Sequence, residues 1–312
     1  MKLGIIDLGT NTFNLLIVEY LENANFRTIY NTKSIVMLGK EGINEGYISK
    51  TAFDRAFGAL RKFREYLNFY HCDKIIAFGT SAIRSASNAN DFIEKVENEL
   101  QIQIQPISGD QEAQYIYHGV KHSVRFTDEN YLILDIGGGS NEFIIANKDK
   151  LLWKHSFPLG GARLLDKFSP EDPISNKTIE KIHKYLESEL ELLKNALKQY
   201  PVTKLVGASG AFDSFTNIIS FSKTNKPLSE GNSTTHLSLP DFKKLYQKIT
   251  FLNRSQRLLV VGLDEFRVDS IVIALIFTNF SINLSNINEI LHSTYSLKEG
   301  VAVVNGLTYS DK

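Results

Sequence analysis

Two stretches of this 312-residue chain follow one pattern, and this internal repeat constrains the fold more than any other feature. Residues 5–17 and residues 133–145 each open with apolar residues, pass an aspartate and a polar, glycine-containing turn, and close with a second apolar run. Asp7 in the first stretch corresponds to Asp135 in the second. The pattern predicts strand, turn, strand, used twice. Two such turns facing each other would hold one phosphate-bearing ligand between two related domains.

The order of predicted strands and helices indicates an α/β protein with mixed sheets. Apolar residues spaced by three and four predict a helix over 50–70, which Ser49 can cap. The other predicted helices cover 90–100, 110–122, 162–168, 176–198, 212–219, 240–252, 270–280 and 296–307. The predicted strands cover 3–7, 15–20, 26–32, 35–38, 74–79, 102–107, 131–136, 142–146, 151–157, 204–207 and 289–292. The segment 222–235 is rich in small polar residues and predicts a surface loop.

The overall composition argues against several classes of protein. Lys plus Arg equals Asp plus Glu at 35 each, whereas a general nucleic-acid or membrane binder is normally basic. Cys72 is the single cysteine, so the chain has no internal disulfide. The N-terminus has no secretory pattern, and no apolar run approaches the roughly 20 residues of a membrane helix. We therefore expect a cytoplasmic protein that binds neither nucleic acid nor a membrane.

The first repeated turn contains Gly9, Thr10, Asn11 and Thr12, whose hydroxyls and backbone amides suit phosphate. The carboxylate of Asp7 suits a hydrated divalent cation. One copy alone would be interpreted as a tight hairpin with ordinary turn formers, and the second copy favours a binding site.

The second repeated turn is Gly137, Gly138, Gly139 and Ser140, followed by Glu142 at the expected rim of the site. Three consecutive glycines after a strand favour a close approach of a ligand to the backbone. The alternative is a loose hairpin, which the strand quality on both sides disfavours.

A third segment places Thr80 and Ser81 after a predicted strand, with Arg84 one turn later. Hydroxyls and amides at a helix start favour an anion, and arginine can hold phosphate oxygens in a fork. Helix capping beside a surface arginine explains the same residues equally well. Both interpretations stay open on sequence grounds.

Further along, Asp110 and Glu112 open a predicted helix. Asp110 fits a stabilising charge at a helix start, whereas Glu112 is a candidate general base if it points into the cleft. The glycine turn with Gly207, Ser209 and Gly210 again follows a strand and precedes a helix, a position suited to phosphate contacts.

Two remaining features are given structural interpretations. Arg267 and Asp269 at the start of an apolar helix are expected to form an internal ion pair. The seven histidines show no metal-ligand spacing, so zinc chemistry has no support.

Taken in chain order, these motifs resemble those of the exopolyphosphatase / guanosine pentaphosphate phosphohydrolase (Ppx/GppA) family. The resemblance rests on residues 7–17, 80–84, 107–113, 135–142, 158–160, 207–210 and 267–269. It implies two ribonuclease-H-like domains of the actin / sugar-kinase / heat-shock ATPase superfold around a central cleft. We expect the first domain over 1–123, with the closing helix 296–312 packed back on it, and the second over 124–295.

The resemblance also implies a hydrolase that removes terminal phosphate from a phosphoanhydride chain with Mg²⁺ or another divalent cation. It implies that Glu112 is the base and that Arg84 grips phosphate. It further implies that Asp135 and Glu142 lie near the metal and the attacking water, with Asp7 as a further metal ligand. These three carboxylates form the expected metal set.

Inorganic polyphosphate and guanosine pentaphosphate both end in the same phosphoanhydride. The sequence shows no signature for reading guanine, so polyphosphate is the first expected substrate and guanosine pentaphosphate the alternative. A second class is an ATP-dependent kinase of the same superfold, with an adenosine pocket near 207–210. A third is a non-catalytic binder of polyphosphate or alarmone, in which Glu112 and Glu142 would be dispensable. A homodimer is compatible with the sequence, and no segment is assigned to its interface.

Overall fold

The computed structural model describes residues 1–21, 25–228 and 231–310. Residues 229–230 of the predicted loop 222–235 and residues 311–312 of the predicted closing segment lie outside the described residues. Within the described part of the chain, none of the helices combines the length and the apolar character that a membrane crossing requires.

Strands and helices alternate in both halves of the chain. The first half contains β1 (Lys2–Leu8), β2 (Thr12–Tyr20), β3 (Phe26–Ile35), α1 (Lys50–Phe69), β4 (Lys74–Gly79), α2 (Ser81–Ser85), α3 (Ala89–Leu100), β5 (Ile104–Pro106) and α4 (Gly109–Ser123). The second half contains β6 (Tyr131–Ile136), β7 (Asn141–Ala146), β8 (Leu151–Phe157), α5 (Gly161–Phe168), α6 (Asn176–Glu189), α7 (Glu191–Gln199), β9 (Lys204–Ala208), α8 (Ser209–Thr224), β10 (Thr234–Leu237), α9 (Leu239–Thr250), α10 (Arg254–Arg257), a 3-10 helix (Glu265–Arg267), α11 (Ser270–Ser285), β11 (Glu289–Ser293) and α12 (Leu297–Ser310).

Each half builds one mixed sheet, and the two sheets repeat one strand order. The first runs β3-β2-β1-β4-β5, and the second runs β8-β7-β6-β9-β11 with β10 added at the far edge. β1 pairs antiparallel with β2 and parallel with β4, and β6 pairs in the same two ways with β7 and β9. The chain therefore has the duplicated ribonuclease-H-like fold of the actin / sugar-kinase / heat-shock ATPase superfold, as predicted.

The middle of the first strand, from Leu3 to Ile6, is buried because both of its faces are covered. Its side chains alternate between faces, as those of any strand do. Leu3 and Ile5 join a cluster between the two sheets, whereas Ile6 and Leu8 join the outer core of the first half. The strand ends of β1 and β6 therefore lie at the centre of the molecule, where the two repeated turns follow them.

Helices α4 and α12 lie between the sheets and contact each other. Helix α12 lies against β1, β2 and β3, whereas α4 lies against β6, β7 and β8. A Cβ atom on Gly119 would lie 2.1 Å from the Ser296 carbonyl oxygen, and one on Gly300 would lie 1.8 Å from the Tyr115 carbonyl oxygen. The two backbones approach this closely because both crossing positions are glycine. The central cluster contains residues of both halves, so the division at 123/124 stays a prediction.

Several local predictions can be compared with the structure. Ser49 caps α1, its Oγ accepting a hydrogen bond from the Ala52 amide at 3.3 Å. The helix predicted over 176–198 is interrupted at Leu190, whose φ of −94° and ψ of 24° leave the helical region. The strands predicted over 26–32 and 35–38 overlap one continuous strand, β3, and β10 was not predicted because its residues are polar.

Candidate functional site

The two repeated turns have the same backbone hydrogen bond. The amide of Gly9 donates to the Thr12 carbonyl at 3.2 Å, and the amide of Gly137 donates to the Ser140 carbonyl at 3.0 Å. The repeat in the sequence is therefore a repeat in turn geometry, as predicted.

In each turn, a backbone carbonyl accepts a hydrogen bond from an amide outside the turn. The Asn11 carbonyl accepts from the amide of Val36 at 3.0 Å, and the Gly138 carbonyl accepts from the amide of Ala162 at 2.8 Å. Between described residues, the amides of Gly138 and Gly139 make no such backbone bond. These unpaired N–H groups are suited to binding an anion.

The two turns touch each other. A Cβ atom on Gly138 would lie 2.9 Å from Asn11 Nδ2, and one on Gly139 would lie 2.7 Å from Thr10 Oγ1 and 2.6 Å from Ser81 Oγ. These separations are too short for a real Cβ atom, so this contact requires glycine in the second turn. The three polar segments predicted around 9–12, 80–81 and 137–140 thus meet at one place.

These segments line a cleft of about 220 Å³ between the sheets. The predicted residues that line it are Asp7, Gly9, Thr10, Asn11, Thr12, Thr80, Ser81, Glu112, Asp135, Gly137, Gly138, Gly139, Ser140, Glu142, Ser209 and Gly210. Arg84 lines an adjoining cavity, and its guanidinium reaches Glu112.

The strand residues flanking the turns form equivalent cross-strand pairs. Asp7 pairs with Asn14 in the register of β1 and β2, and Asp135 pairs with Glu142 in that of β6 and β7. Asn14 Nδ2 donates to Asp7 Oδ2 at 2.9 Å. Asn14 was not singled out from the sequence, although its offset from Asp7 equals that of Glu142 from Asp135.

Burial disfavours the charged forms of the cleft carboxylates, of which Glu142 is buried and Asp7 half-buried as a residue. Asp7 Oδ1 is buried without a hydrogen-bond partner, and burial raises the pKa of Asp7 to about 7 despite the bond from Asn14. Burial, with repulsion from Asp135, raises the pKa of Glu142 to about 7, although Ser156 Oγ donates to Glu142 Oε1 at 2.6 Å. Glu142 is 1% exposed, so the expected position at the rim was wrong.

Asp135 faces the same cleft from the second half. Burial raises its pKa, and the hydroxyls of Ser209 and Ser296 oppose that shift by hydrogen bonding to the carboxylate. Ser296 lies just before α12, so the end of the chain helps to orient this strand-end aspartate.

Glu112 lies in the first turn of α4. This helix begins with a capping box, in which Ser108 Oγ accepts from the Gln111 amide at 3.1 Å and Gln111 Oε1 accepts from the Ser108 amide at 3.0 Å. Arg84 Nη1 donates to Glu112 Oε2 at 3.0 Å. Burial and repulsion from Glu142 raise the pKa of Glu112 well above its usual value, and Arg84 opposes the shift.

The alternative interpretation of Thr80 as a helix cap is wrong. Thr80 precedes α2 without a side-chain capping bond, and its Oγ1 instead donates to the Leu8 carbonyl at 3.2 Å. Thr80 therefore ties the start of α2 to the end of β1, beside the first turn.

A lysine that the sequence analysis missed also lines the cleft. Lys298 lies in the first turn of α12, and its Nζ is 2.9 Å from Glu299 Oε1. Burial alone would lower the pKa of Lys298, but attraction to Glu299, Asp213 and Asp7 outweighs burial and raises it. The signal for Lys298 was a charged pair at the start of an otherwise apolar helix.

The glycine turn predicted at 207–210 does not form as a separate element, because α8 begins directly after β9, with Gly207 in the strand and Gly210 in the helix. A Cβ atom on Gly207 would lie 2.0 Å from the Phe212 ring, so Gly207 is a packing glycine, and its predicted phosphate contact has no support from this geometry. Gly210 lies beneath the guanidinium of Arg267, where a Cβ atom would lie 1.7 Å from Nη2.

The expected ion pair between Arg267 and Asp269 is wrong. Asp269 Oδ1 is instead 3.1 Å from Arg254 Nε, whereas Arg267 Nε is 3.9 Å from Asp264 Oδ2. The two side chains diverge because the 3-10 helix before α11 turns Arg267 toward the cleft, which it lines. Arg267 is thus a further cleft cation that the sequence analysis assigned to the core.

The sequence of this chain matches a known protein family. The model of the Ppx/GppA phosphatase family matches residues 16–308. The chain belongs to this family. Its motifs, its duplicated fold and the meeting of its two turns agree with that membership, and the phosphoanhydride hydrolase expected from the sequence is supported.

Among relatives of this Ppx/GppA chain, a bifunctional 3-dehydroquinate synthase/phosphatase of Fusobacterium nucleatum is 32% identical over 278 residues. That match covers 86% of this chain and 41% of the relative, so the chain spans less than half of that protein's length. Exopolyphosphatase 1 of Mycobacterium leprae is 25% identical over 303 residues, covering 96% of this chain and 88% of the relative.

Two solved structures of the Ppx/GppA type are also similar. An exopolyphosphatase from Cytophaga hutchinsonii has a TM-score of 0.96 at 40% identity, covering 99% of this chain and 98% of that chain. The Aquifex aeolicus family member has a TM-score of 0.82 at 22% identity over 99% and 98% of the two chains, which supports the fold alone.

Proposed function

We propose that this chain is an exopolyphosphatase that hydrolyses the terminal phosphoanhydride of inorganic polyphosphate by metal-assisted in-line attack of water. The observation that carries the proposal is the contact between the two repeated turns, with Glu112 lining the same cleft. The turn amides and the hydroxyls of Thr10 and Ser140 supply hydrogen-bond donors for phosphoryl oxygens. Phosphoryl transfer depends mainly on such positioning and on charge neutralisation.

The carboxylates of the cleft fit a divalent cation such as Mg²⁺. The unpartnered buried oxygen of Asp7 and the pairing of Asp135 with Glu142 provide hard oxygen ligands. Within the described residues, no group of three or more His, Cys, Asp or Glu side chains is arranged as a ready cation cage. Mg²⁺ is commonly bound by one or two carboxylates together with water and substrate phosphates, so this arrangement suits it. When bound, the cation neutralises phosphate charge.

Glu112 is the proposed base. It orients a water molecule and accepts a proton from it as the water oxygen bonds to the terminal phosphorus. The bridging phosphorus–oxygen bond breaks, and the shortened chain leaves with that electron pair. Burial raises the pKa of Glu112, which makes its carboxylate a stronger base than an exposed glutamate. Arg84, bonded to Glu112, contributes positive charge beside the reacting phosphoryl group.

Glu112→Gln tests the assignment of the base. The amide keeps the size of the side chain and an acceptor for Arg84 but cannot take a proton. We expect kcat for orthophosphate release to fall by about 10² or more, with substrate still bound. Glu94→Gln, at an exposed glutamate on α3, is the matched control. Near-normal turnover of a folded Glu112→Gln protein would contradict the assignment.

The substrate is tested separately with a panel containing polyphosphate and guanosine pentaphosphate, with and without Mg²⁺. Polyphosphate is preferred because exopolyphosphatases are among the similar proteins of this family. Preferential loss of the 5′-γ-phosphate of guanosine pentaphosphate would make the nucleotide the substrate instead. Transfer of phosphate from ATP to an acceptor would favour a kinase, and binding without phosphate release would favour a non-catalytic binder. The expected cytoplasmic location and homodimer remain predictions.

A further inference from the structure

A second cavity of about 360 Å³ adjoins the cleft. Ser81 and Ser140 line both spaces, and the close contact of Ser81 with Gly139 narrows the boundary between them. The Glu112–Arg84 ion pair joins the two spaces, because Glu112 lines the cleft while Arg84 lines the second cavity. A group released beside Glu112 therefore lies next to the second cavity.

The second cavity carries an excess of positive charge. Arg84 and Arg163 both line it, together with the hydroxyl groups of Ser85 and Ser156. Asp110 also lines the cavity, but Lys154 Nζ lies 3.0 Å from its Oδ2 and neutralises it. Two guanidinium groups with nearby hydroxyls are suited to a small tetrahedral oxyanion.

Arg163 is held in place, whereas Arg84 retains free donors. Arg163 donates from Nε to the Gly139 carbonyl at 2.9 Å, from Nη1 to the Ile43 carbonyl at 2.7 Å and from Nη2 to Ser85 Oγ at 3.0 Å. Arg84 uses Nη1 for Glu112 and the Ile107 carbonyl, and its Nη2 has no hydrogen bond to a described residue. A bound anion would therefore meet a fixed positive charge and a free N–H fork.

We propose that this cavity, here called the Arg84–Arg163 pocket, is a product pocket that receives orthophosphate after cleavage while the shortened chain remains in the cleft. The inference rests on the proposed function, because it assumes that orthophosphate forms beside Glu112. Orthophosphate leaves through the pocket, so the substrate does not have to dissociate first. Orthophosphate and the substrate chain then occupy different spaces and bind together.

In the test, the cleft is first filled with a methylene-bridged triphosphate that cannot be cleaved. Binding of orthophosphate is then measured by calorimetry or ³¹P line broadening. We expect orthophosphate to bind to the analogue-saturated protein. His155→Glu adds a negative charge to the wall of the pocket and should weaken orthophosphate binding about tenfold or more. His155→Gln is the matched control, because burial lowers the pKa of His155 and keeps it neutral at pH 7.5. Its orthophosphate affinity should stay within about twofold of the parent.

Product inhibition gives a second measurement. With the active enzyme, orthophosphate should inhibit without simple competition against polyphosphate, and His155→Glu should relieve that inhibition. If His155→Glu does not fold, two variants of the exposed residue Ser85 replace the His155 pair. Ser85→Asp is the charged variant, because the aspartate would neutralise Arg163, and Ser85→Ala is its neutral control. Strict displacement of orthophosphate by the analogue, or equal binding by the charged and neutral variants, would overturn the product pocket. The orthophosphate binding measurement needs no turnover. A protein that binds orthophosphate as expected but does not hydrolyse polyphosphate would therefore contradict the proposed function and not the product pocket.

Discussion

At the scale of single residues, the site brings four acidic side chains together at one cleft, and one oxygen of Asp7 has no hydrogen-bond partner. Asp7, Asp135, Glu112 and Glu142 all have raised pKa values, with burial as the largest cause in each. Such clusters of perturbed acids are typical of functional sites. The arrangement is unfavourable for the ionised protein alone and is relieved when positive charge enters the cleft.

Asp7→Asn should reduce the dependence of stability on pH. Because the folded pKa of Asp7 is about 7 and the unfolded value is near 4, the native state binds the extra proton. The stabilisation is complete below about pH 4 and is lost as pH rises toward 7. Between pH 5 and pH 8, urea unfolding in EDTA should therefore show the stability of Asp7→Asn rising relative to that of the parent by at most about 3 kcal/mol.

Added Mg²⁺ checks the same residue without an activity assay. A cation that binds the folded state stabilises it by mass action, so Mg²⁺ should raise the Tm of the parent more than that of Asp7→Asn. Parallel pH curves of stability for the two proteins would show that Asp7 does not titrate in this range. Equal increases in Tm on adding Mg²⁺ would show that Asp7 does not bind the cation.

The residues that the sequence analysis identified and those it missed differ in one respect. Asp7 and Asp135 follow strands in a repeated pattern, so their convergence could be predicted from topology. Arg267 and Lys298 reach the cleft from distant parts of the chain, and their places depend on how α11 and α12 pack. Such tertiary placement has no local sequence pattern.

At the scale of elements, several strands were predicted with their observed bounds, and β6 is the clearest case because it is buried along its whole length and apolar up to Asp135. The strands 74–79, 131–136 and 151–157 agree residue for residue with β4, β6 and β8. The interruption at Leu190 was missed, because leucine is a good helix former and the apolar spacing continues through it. There, tertiary packing overrides local preference.

Gly139→Ala tests the turn as an element. Its Cβ atom would lie 2.6 Å from Ser81 Oγ, so the second turn and the start of α2 must separate. A displacement of about 1 Å can lower kcat/KM by about 10². Phosphate release should fall by that order, while circular dichroism stays unchanged. The control Gly58→Ala has nothing within 4 Å of its added Cβ and should keep normal turnover. Equal activity of the two variants would show that the turns tolerate separation.

At the scale of the whole molecule, the crossing of α4 and α12 connects folding to the site. Glu112 lies on one helix and Lys298 on the other, so a single helix contact sets where both charges enter the cleft. The sheets could be predicted from the repeat, but this crossing could not, because it depends on a pair of glycines 181 residues apart, at 119 and 300.

Gly300→Ala should therefore destabilise the fold as well as the site. The added Cβ would lie 1.8 Å from the Tyr115 carbonyl oxygen, and overpacking of this kind typically costs about 1–3 kcal/mol. Gly58→Ala, in the open interior of α1, should instead stabilise by about 0.5–1 kcal/mol. Thermal and urea unfolding measure both. A Gly300→Ala protein as stable as the parent would mean that the helices separate without cost.

The position of α12 has a consequence for how the chain could be divided. A fragment ending after α4 would leave the apolar inner face of β1 and β2 exposed to solvent. The helix that covers this face is α12, which lies beyond the second sheet in the sequence. The halves resemble each other, yet the first sheet is covered by α12, a helix that follows the second sheet along the chain. We expect permutants that join the ends to be tolerated better than separately produced halves, with hydrolysis returning only when both pieces are combined.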